Sequence, residues 1–136
     1  MSKMQKFNLQ VGDWVRDEHT PSPMRITIIG EDYAQATYAQ ATFGGNELKS
    51  WWFDEKAKLH GIPLTREILE KNEWEADEYL GLYERAGVDF TILYDLDSPG
   101  AFECNEIPSI TLDTVDKLQR LLRLCGHGDL ADKFRL

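Results

Sequence analysis

The C-terminal part of the chain carries a regular helical pattern of apolar residues. Apolar side chains recur there at intervals of three and four residues, at Leu112, Val115, Leu118, Leu121, Leu122 and Cys125. This spacing places them on one side of an α-helix. Thr111 or Asp113 is suited to the start of the helix, and Gly126 follows its end. Such a helix has to bury its apolar side, so the rest of the chain must provide a surface for it.

The first 60 residues show strand patterns separated by turn residues. A β-branched run, Met24–Ile29, ends at a glycine, and another strand-like run covers residues 48–54. Residues 33–43 contain the pentapeptide YAQAT twice, and the glycines on both sides favour a strand over a helix. The VGDWV segment at residues 11–15 resembles the first strand of SH3-like small barrels. We therefore predict a small SH3-like β unit here.

A short helix is predicted next, within the segment IPLTREILEKNEW at residues 62–74. Thr65 is a favourable N-cap, because its hydroxyl can accept a hydrogen bond from a free backbone N–H of the first turn. Asn72 is suited to a left-handed C-cap.

Three further strands are predicted between this helix and the C-terminal one, at residues 78–84, 89–95 and 101–107. The complete pattern predicts an α+β fold, with an antiparallel sheet of about three strands under the C-terminal helix. Residues 1–60 and 61–136 form either two units or one compact domain.

The charge is concentrated in the middle of the chain. The formal net charge is −9, and residues 61–112 hold 12 acidic and 3 basic residues. This balance argues against non-specific binding to nucleic acid, whose phosphates attract Lys and Arg. No apolar run approaches the length of a membrane span, and two cysteines fit a reducing compartment. We expect a cytoplasmic protein that does not enter a membrane.

Two segments resemble a known group of proteins. IPLTREILEKNEW and, about 40 residues later, TVDKLQRLLRLCGHGDL are similar to segments of short proteins encoded by gut Bacteroides, their phages and mobile elements. The chain shares with them the VGDWV opening and a closing helix with Leu-Gln near its centre. It departs from them after the central helix, where Asn72-Glu73-Trp74 replaces their Gly-Phe. The resemblance implies no activity, cofactor or catalytic residue.

The residues suggest no catalytic constellation and no cofactor. The Cys125-Gly126-His127 segment brings a thiol near an imidazole, but Cys125 belongs to the apolar side of the helix and is expected to pack in the core. Asp95, Asp97 and Glu106 fit part of a calcium-binding loop, so this segment is either a solvated turn or a cation site.

Aromatic and acidic residues are the candidates for partner binding. Trp51 and Trp52 are adjacent, and neighbouring residues of a strand point to opposite faces, so one of the two rings is a candidate for exposure. Exposed tryptophan is a favoured interface residue. Glu73, Glu75 and Glu78 form an acidic run that either is a solvated face or meets a protein partner.

Three functions remain open from the sequence. The favoured one is a non-enzymatic protein-binding or accessory module of phage or mobile-element origin. The second is a small hydrolase that uses carboxylates or a metal ion. The third is an acidic mimic of nucleic acid or a phage-encoded inhibitor. The sequence leaves open whether the chain is a monomer or a homodimer.

Overall fold

Residues 3–18, 22–95, 97 and 100–136 are described by a computed structural model of the chain. Helices and antiparallel strands are both present, which confirms the α+β class. The chain divides into two compact units, Met1–Ile62 and Pro63–Leu136. None of the helices among the described residues is long and apolar enough to cross a membrane.

The first unit is built on an antiparallel sheet of five strands. A 3-10 helix, Lys3–Phe7, precedes them. The strands are β1 (Trp14–Asp17), β2 (Met24–Ile29), β3 (Ala34–Thr42), β4 (Gly45–Phe53) and β5 (Leu59–Gly61). Their order in the sheet is β4-β3-β2-β1-β5, so β4 and β5 are its edges. The repeated YAQAT segment is a strand, as predicted.

The core of the first unit lies against one face of this sheet. Ile26, Ala34, Ala36 and Phe53 are buried there, and Met4 of the 3-10 helix is buried in the same cluster. The first YAQAT copy thus turns its alanines inward. Five is an odd number, so the second copy places its alanines on the opposite face, because a strand alternates with a period of two.

The hairpin of β3 and β4 extends beyond this core. The two strands are joined by the two-residue loop Phe43-Gly44, and Thr42 is paired with Gly45 next to the loop. Residues 39–48 are exposed on both faces of the hairpin, and Phe43 at its tip is fully exposed. The far half of the hairpin is therefore a two-stranded arm, which we call the hairpin arm (residues 39–48).

The second unit contains a sheet of four strands rather than the predicted three. After helix α1 (Arg66–Lys71) come β6 (Glu75–Asp77), β7 (Leu82–Glu84), β8 (Ile92–Tyr94) and β9 (Phe102–Cys104), each antiparallel to the next. The prediction of one strand over residues 78–84 was wrong, because residues 78–81 form the turn between β6 and β7. Asp77 stabilises this turn by accepting hydrogen bonds from the N–H groups of Leu80 and Gly81.

The C-terminal part is helical, as the apolar spacing predicts. Helix α2 (Val115–Leu124) buries its apolar side, including Val115, Leu118, Leu121 and Leu122. A short helix, α3 (Gly128–Asp132), follows it. Gln119 is buried on α2 and donates a hydrogen bond to the carbonyl of Ala131, so a polar contact joins the two helices.

The helix ends agree with the sequence in part. Thr65 caps α1 and accepts a hydrogen bond from the N–H of Ile68, as predicted. The N-cap of α2 is Thr114 rather than Thr111 or Asp113. Gly126 follows α2 with a φ of 85°, which is the left-handed conformation expected after a helix end. At the end of α1 this conformation falls on Glu73 instead of Asn72.

Candidate partner-binding groove

The five residues suggested by the sequence lie in different units. Trp51 and Trp52 are on β4 of the first unit. Glu73, Glu75 and Glu78 belong to the second unit, between the end of α1 and the turn after β6. The structure places Glu73 and Glu75 in one groove and leaves Glu78 outside its lining.

Alternation along β4 separates the two tryptophans, as the strand geometry requires. Trp51 points to the core side, where its ring stacks on that of Phe53 with the centroids 4.8 Å apart. Trp52 points to the other face and is 55% exposed. Its neighbour across the sheet is Gln35, which pairs with Ile28 of β2 next to a β-bulge between Ile26 and Ile28. Trp52 is thus the one of the pair that solvent reaches.

The second unit contains an acidic groove of about 700 Å³. It is lined by residues from the end of α1, from β6 and β7, and from the segment that leads to β8. Its acidic lining residues are Glu70, Glu73, Glu75, Glu84 and Asp89. Arg85 is the basic residue of the lining, and Trp74, Ala86 and Val88 supply its apolar part. Five acidic residues and one arginine therefore line the groove.

Glu73 reaches the groove because it occupies the left-handed position after α1. Its φ is 68°, and the N–H of Glu73 bonds to the carbonyl of Glu70. The N–H of Trp74 bonds to the carbonyl of Leu69, which completes a Schellman motif. Residues other than glycine and asparagine are uncommon at this position, since the left-handed conformation costs an L-residue about 1–2 kcal/mol.

Arg85 is held by the end of the same helix. Its Nε donates to the carbonyl of Asn72 at 2.9 Å, and its Nη2 lies 3.0 Å from Oε2 of Glu73. A third hydrogen bond goes to the carbonyl of Ala86. The guanidinium is thus directed at one carboxylate and two backbone carbonyls, and its charge is shared with Glu73.

Glu75 and Glu84 form a like-charge pair in the groove. They are directly opposed in the antiparallel pairing of β6 and β7, and both are exposed. Opposed residues have Cβ atoms about 4.5–5.5 Å apart, and like charges on directly opposed residues destabilise a sheet. The groove therefore contains a pair of carboxylates that would be stabilised by a cation.

Asp89 lies at another part of the lining and is engaged by a histidine. Oδ1 of Asp89 is 2.9 Å from Nε2 of His127, which follows α2. This hydrogen bond lowers the pKa of the Asp89 carboxyl. Cys125 is close to His127 in the chain, and burial raises the pKa of its thiol. A raised pKa disfavours the thiolate, which is the nucleophilic form of cysteine.

Glu78 lies in the turn between β6 and β7. It is exposed, as are its neighbours Tyr79 and Leu80. The turn after Asp77 therefore separates Glu78 from Glu73 and Glu75, and the three acids do not form one continuous surface.

The acids of the suggested calcium loop have other contacts. Glu106 accepts hydrogen bonds from the N–H and the hydroxyl of Thr91, and Asp95 accepts one from the N–H of Asp97. Leu96, Ser98 and Pro99 of this loop lie outside the described residues. Within the described part of the chain, His, Cys, Asp and Glu side chains form no group of three that could hold a metal ion.

Glu70, Glu84, Arg85 and Asp89 were not identified from the sequence. The position of Glu84 opposite Glu75 depends on the pairing of β6 with β7. A single strand predicted over residues 78–84 contains no such pairing. The Asp89–His127 contact joins residues 38 positions apart and has no local signal. Glu70 lies beside Lys71 in the last turn of α1, where an acid is ordinary on a solvated helix surface. Comparisons with protein-family models, curated proteins and solved structures find no match to this chain.

Proposed function

We propose that this protein is a non-enzymatic binding module whose acidic groove takes a Lys- or Arg-containing segment of a partner protein. The observation that carries the proposal is the opposed pair Glu75 and Glu84 inside a concave surface with five carboxylates and one guanidinium. A cationic side chain placed between the two carboxylates turns a repulsive contact into two attractive ones.

The composition of the lining also suits a basic side chain. Lys and Arg carry long aliphatic stems that pack on apolar surface while the charged group meets carboxylates. The exposed Ala86 and the half-buried Val88 provide apolar surface beside the carboxylates. A volume of about 700 Å³ exceeds that of one side chain, so a short peptide segment with more than one contact fits the groove.

The same groove also favours the second candidate, a carboxylate-dependent hydrolase, because several acids line a concave surface. Acid catalysis requires a carboxyl group whose pKa is raised toward neutrality. In this groove the pKa of Asp89 is shifted in the opposite direction, by its hydrogen bond to His127. The lining carboxylates are also exposed to water. Both observations favour binding over catalysis.

Separate features support the origin and the cellular location of such a module. The five antiparallel strands of the first unit support a likeness to SH3-like barrels. The resemblance to Bacteroides and phage proteins supports a mobile-element origin. The free thiols of Cys104 and Cys125 support a cytoplasmic location. Trp52 offers a second contact of aromatic character on the first unit.

A peptide titration tests the proposal. A labelled peptide of alternating Lys and Ala is titrated with the full chain by fluorescence anisotropy, at low and at high salt. We expect the double substitution Glu75→Gln and Glu84→Gln to weaken binding by about five- to thirtyfold, which corresponds to about 1–2 kcal/mol.

The matched control is the double substitution Glu78→Gln and Glu103→Gln. It changes the net charge equally at exposed residues of the second unit that do not line the groove. Equal weakening by both variants would mean that overall charge attracts the peptide, and the groove would lose its proposed role. Hydrolysis of a model ester that disappears only with Glu75→Gln and Glu84→Gln would favour the hydrolase instead.

A further inference from the structure

Strand β4 presents an unpaired edge. It lies at one end of the five-stranded order and is paired with β3 alone among the described strands. Every second residue in its middle is exposed, at Asn46, Leu48 and Ser50, and Leu48 is 76% exposed. An edge strand offers a row of free N–H and C=O groups, to which another strand can pair.

The pairing with β3 determines which backbone groups are free. Thr42 and Gly45 close a two-residue loop, so they form a hydrogen-bonded pair, and such pairs recur at every second residue. Gly45, Glu47, Lys49 and Trp51 therefore direct their backbone groups to β3. Asn46, Leu48, Ser50 and Trp52 direct theirs outward. The same alternation is seen across β2, where Ile26 exchanges hydrogen bonds with the segment before β1.

We propose that the occupant of this edge is a second copy of the chain, paired antiparallel through β4 with Leu48 on the two-fold axis. In this register Leu48 faces the Leu48 of the other copy, and Asn46 faces its Ser50. All these residues have outward backbone groups, so the hydrogen bonds are in phase on both sides. The result is one continuous antiparallel sheet of ten strands.

The charges of β4 favour this register over those shifted by one residue. Glu47 and Lys49 lie on the same face of the strand, and their charged groups are 3.4 Å apart within one chain. With Leu48 on the axis, each Glu47 is opposed by a Lys49 of the other copy. Moving the axis by one residue opposes two copies of Glu47 or two copies of Lys49, which is unfavourable.

Two further observations support a second copy. The hairpin arm (residues 39–48) is exposed on both faces, and a two-stranded ribbon is marginally stable in water, whereas pairing gives it four strands. Residues 1–60 hold 7 basic and 8 acidic side chains, so the net charge of the chain is not concentrated in this unit. The second copy is inferred independently of the acidic groove.

A charge-reversal experiment on the full chain tests the proposal. Sedimentation velocity is measured for the wild type, for Glu47→Lys, for Lys49→Glu and for an equimolar mixture of the two variants. The wild type is expected to dimerise with a mass twice its 15.7 kDa as concentration rises. Each variant alone places like charges opposite each other and is expected to raise the dissociation constant of the dimer by about tenfold or more.

The mixture distinguishes this register from other modes of association. A heterodimer of the two variants restores two opposed ion pairs, so the mixture is expected to dimerise more strongly than either variant alone. A wild type that remains monomeric at the highest concentration overturns the proposal. So does a dimer that is unaffected by either substitution, and so does a mixture that associates no better than its components. Circular dichroism establishes that each variant is folded.

Discussion

Glu75 and Glu84 stand directly opposite each other on the antiparallel strands β6 and β7. Without a bound cation, this like-charge pair destabilises the folded state. Glu84→Gln is therefore expected to raise the free energy of unfolding by about 0.2–1 kcal/mol at low salt. Urea denaturation measures the effect, and the gain should shrink at high salt because exposed charges are screened. Glu103→Gln, an exposed acid of β9, serves as the control; an equal gain there would attribute the effect to net charge.

Gly126 is needed for the left-handed turn after α2, where its φ is 85°. A Cβ at this position would meet no atom within 4 Å, so only the backbone conformation opposes a larger residue. Gly126→Ala is expected to destabilise the fold by about 1 kcal/mol. Gly128→Ala is the matched control, since Gly128 begins α3 without a positive φ and also has open space. Thermal unfolding of both variants compares them; similar losses would show that the turn is not strained.

Leu118 is fully buried on α2, whereas Leu124 on the same helix is 76% exposed. Leu118→Ala leaves a cavity and is expected to cost about 2–5 kcal/mol. Leu124→Ala, with the same change of atoms at the surface, is expected to stay within about 0.5 kcal/mol. Chemical denaturation of the two variants tests this difference. A small effect of Leu118→Ala would mean that α2 is not docked on the core.

The Asp89–His127 contact predicts a dependence of stability on pH. The folded state lowers the pKa of Asp89, mainly through the hydrogen bond from His127. The stabilisation is thus fully present above the unfolded value, about 3.9, and is lost as the pH falls through the lower folded value. Asp89→Asn should be less stable than the wild type at pH 6, and the two should converge as the pH falls below about 4.

The control for this pH series is Glu103→Gln, which removes an exposed carboxylate outside the pair. Its difference from the wild type should not follow the same course. Unfolding by urea at a series of pH values provides the measurement. A difference between Asp89→Asn and the wild type that is constant over the whole series would contradict the assignment.

The sequence predicted best the elements whose signals are local. The apolar spacing of α2, the cap at Thr65 and the glycine after α2 each depend on neighbouring residues, and the structure contains all three. The strand over the repeated YAQAT segment was also confirmed, from its flanking glycines. The odd length of the repeat places the alanines of its two copies on opposite faces, so the segment lacks a simple strand alternation.

The sheet of the second unit was predicted less well, because its strands are only three residues long. Three residues give too little alternation to separate a strand from the turn beside it. The groove depends on the pairing of these strands: only their register places Glu84 opposite Glu75. Its other contacts, such as Asp89 with His127, join distant parts of the chain and follow from the fold alone.

The exposure of the hairpin arm on both faces has a consequence for how this protein can change. A strand that covers a core must keep its alternation, so a shift by one residue is costly there. The second YAQAT copy lies largely in the arm, where both faces meet water and no alternation is required. Matched gains or losses on β3 and β4 would alter the reach of Phe43 by about 3.4 Å per residue along the strand. Evolution can therefore adjust the length of this arm without rebuilding the domain beneath it.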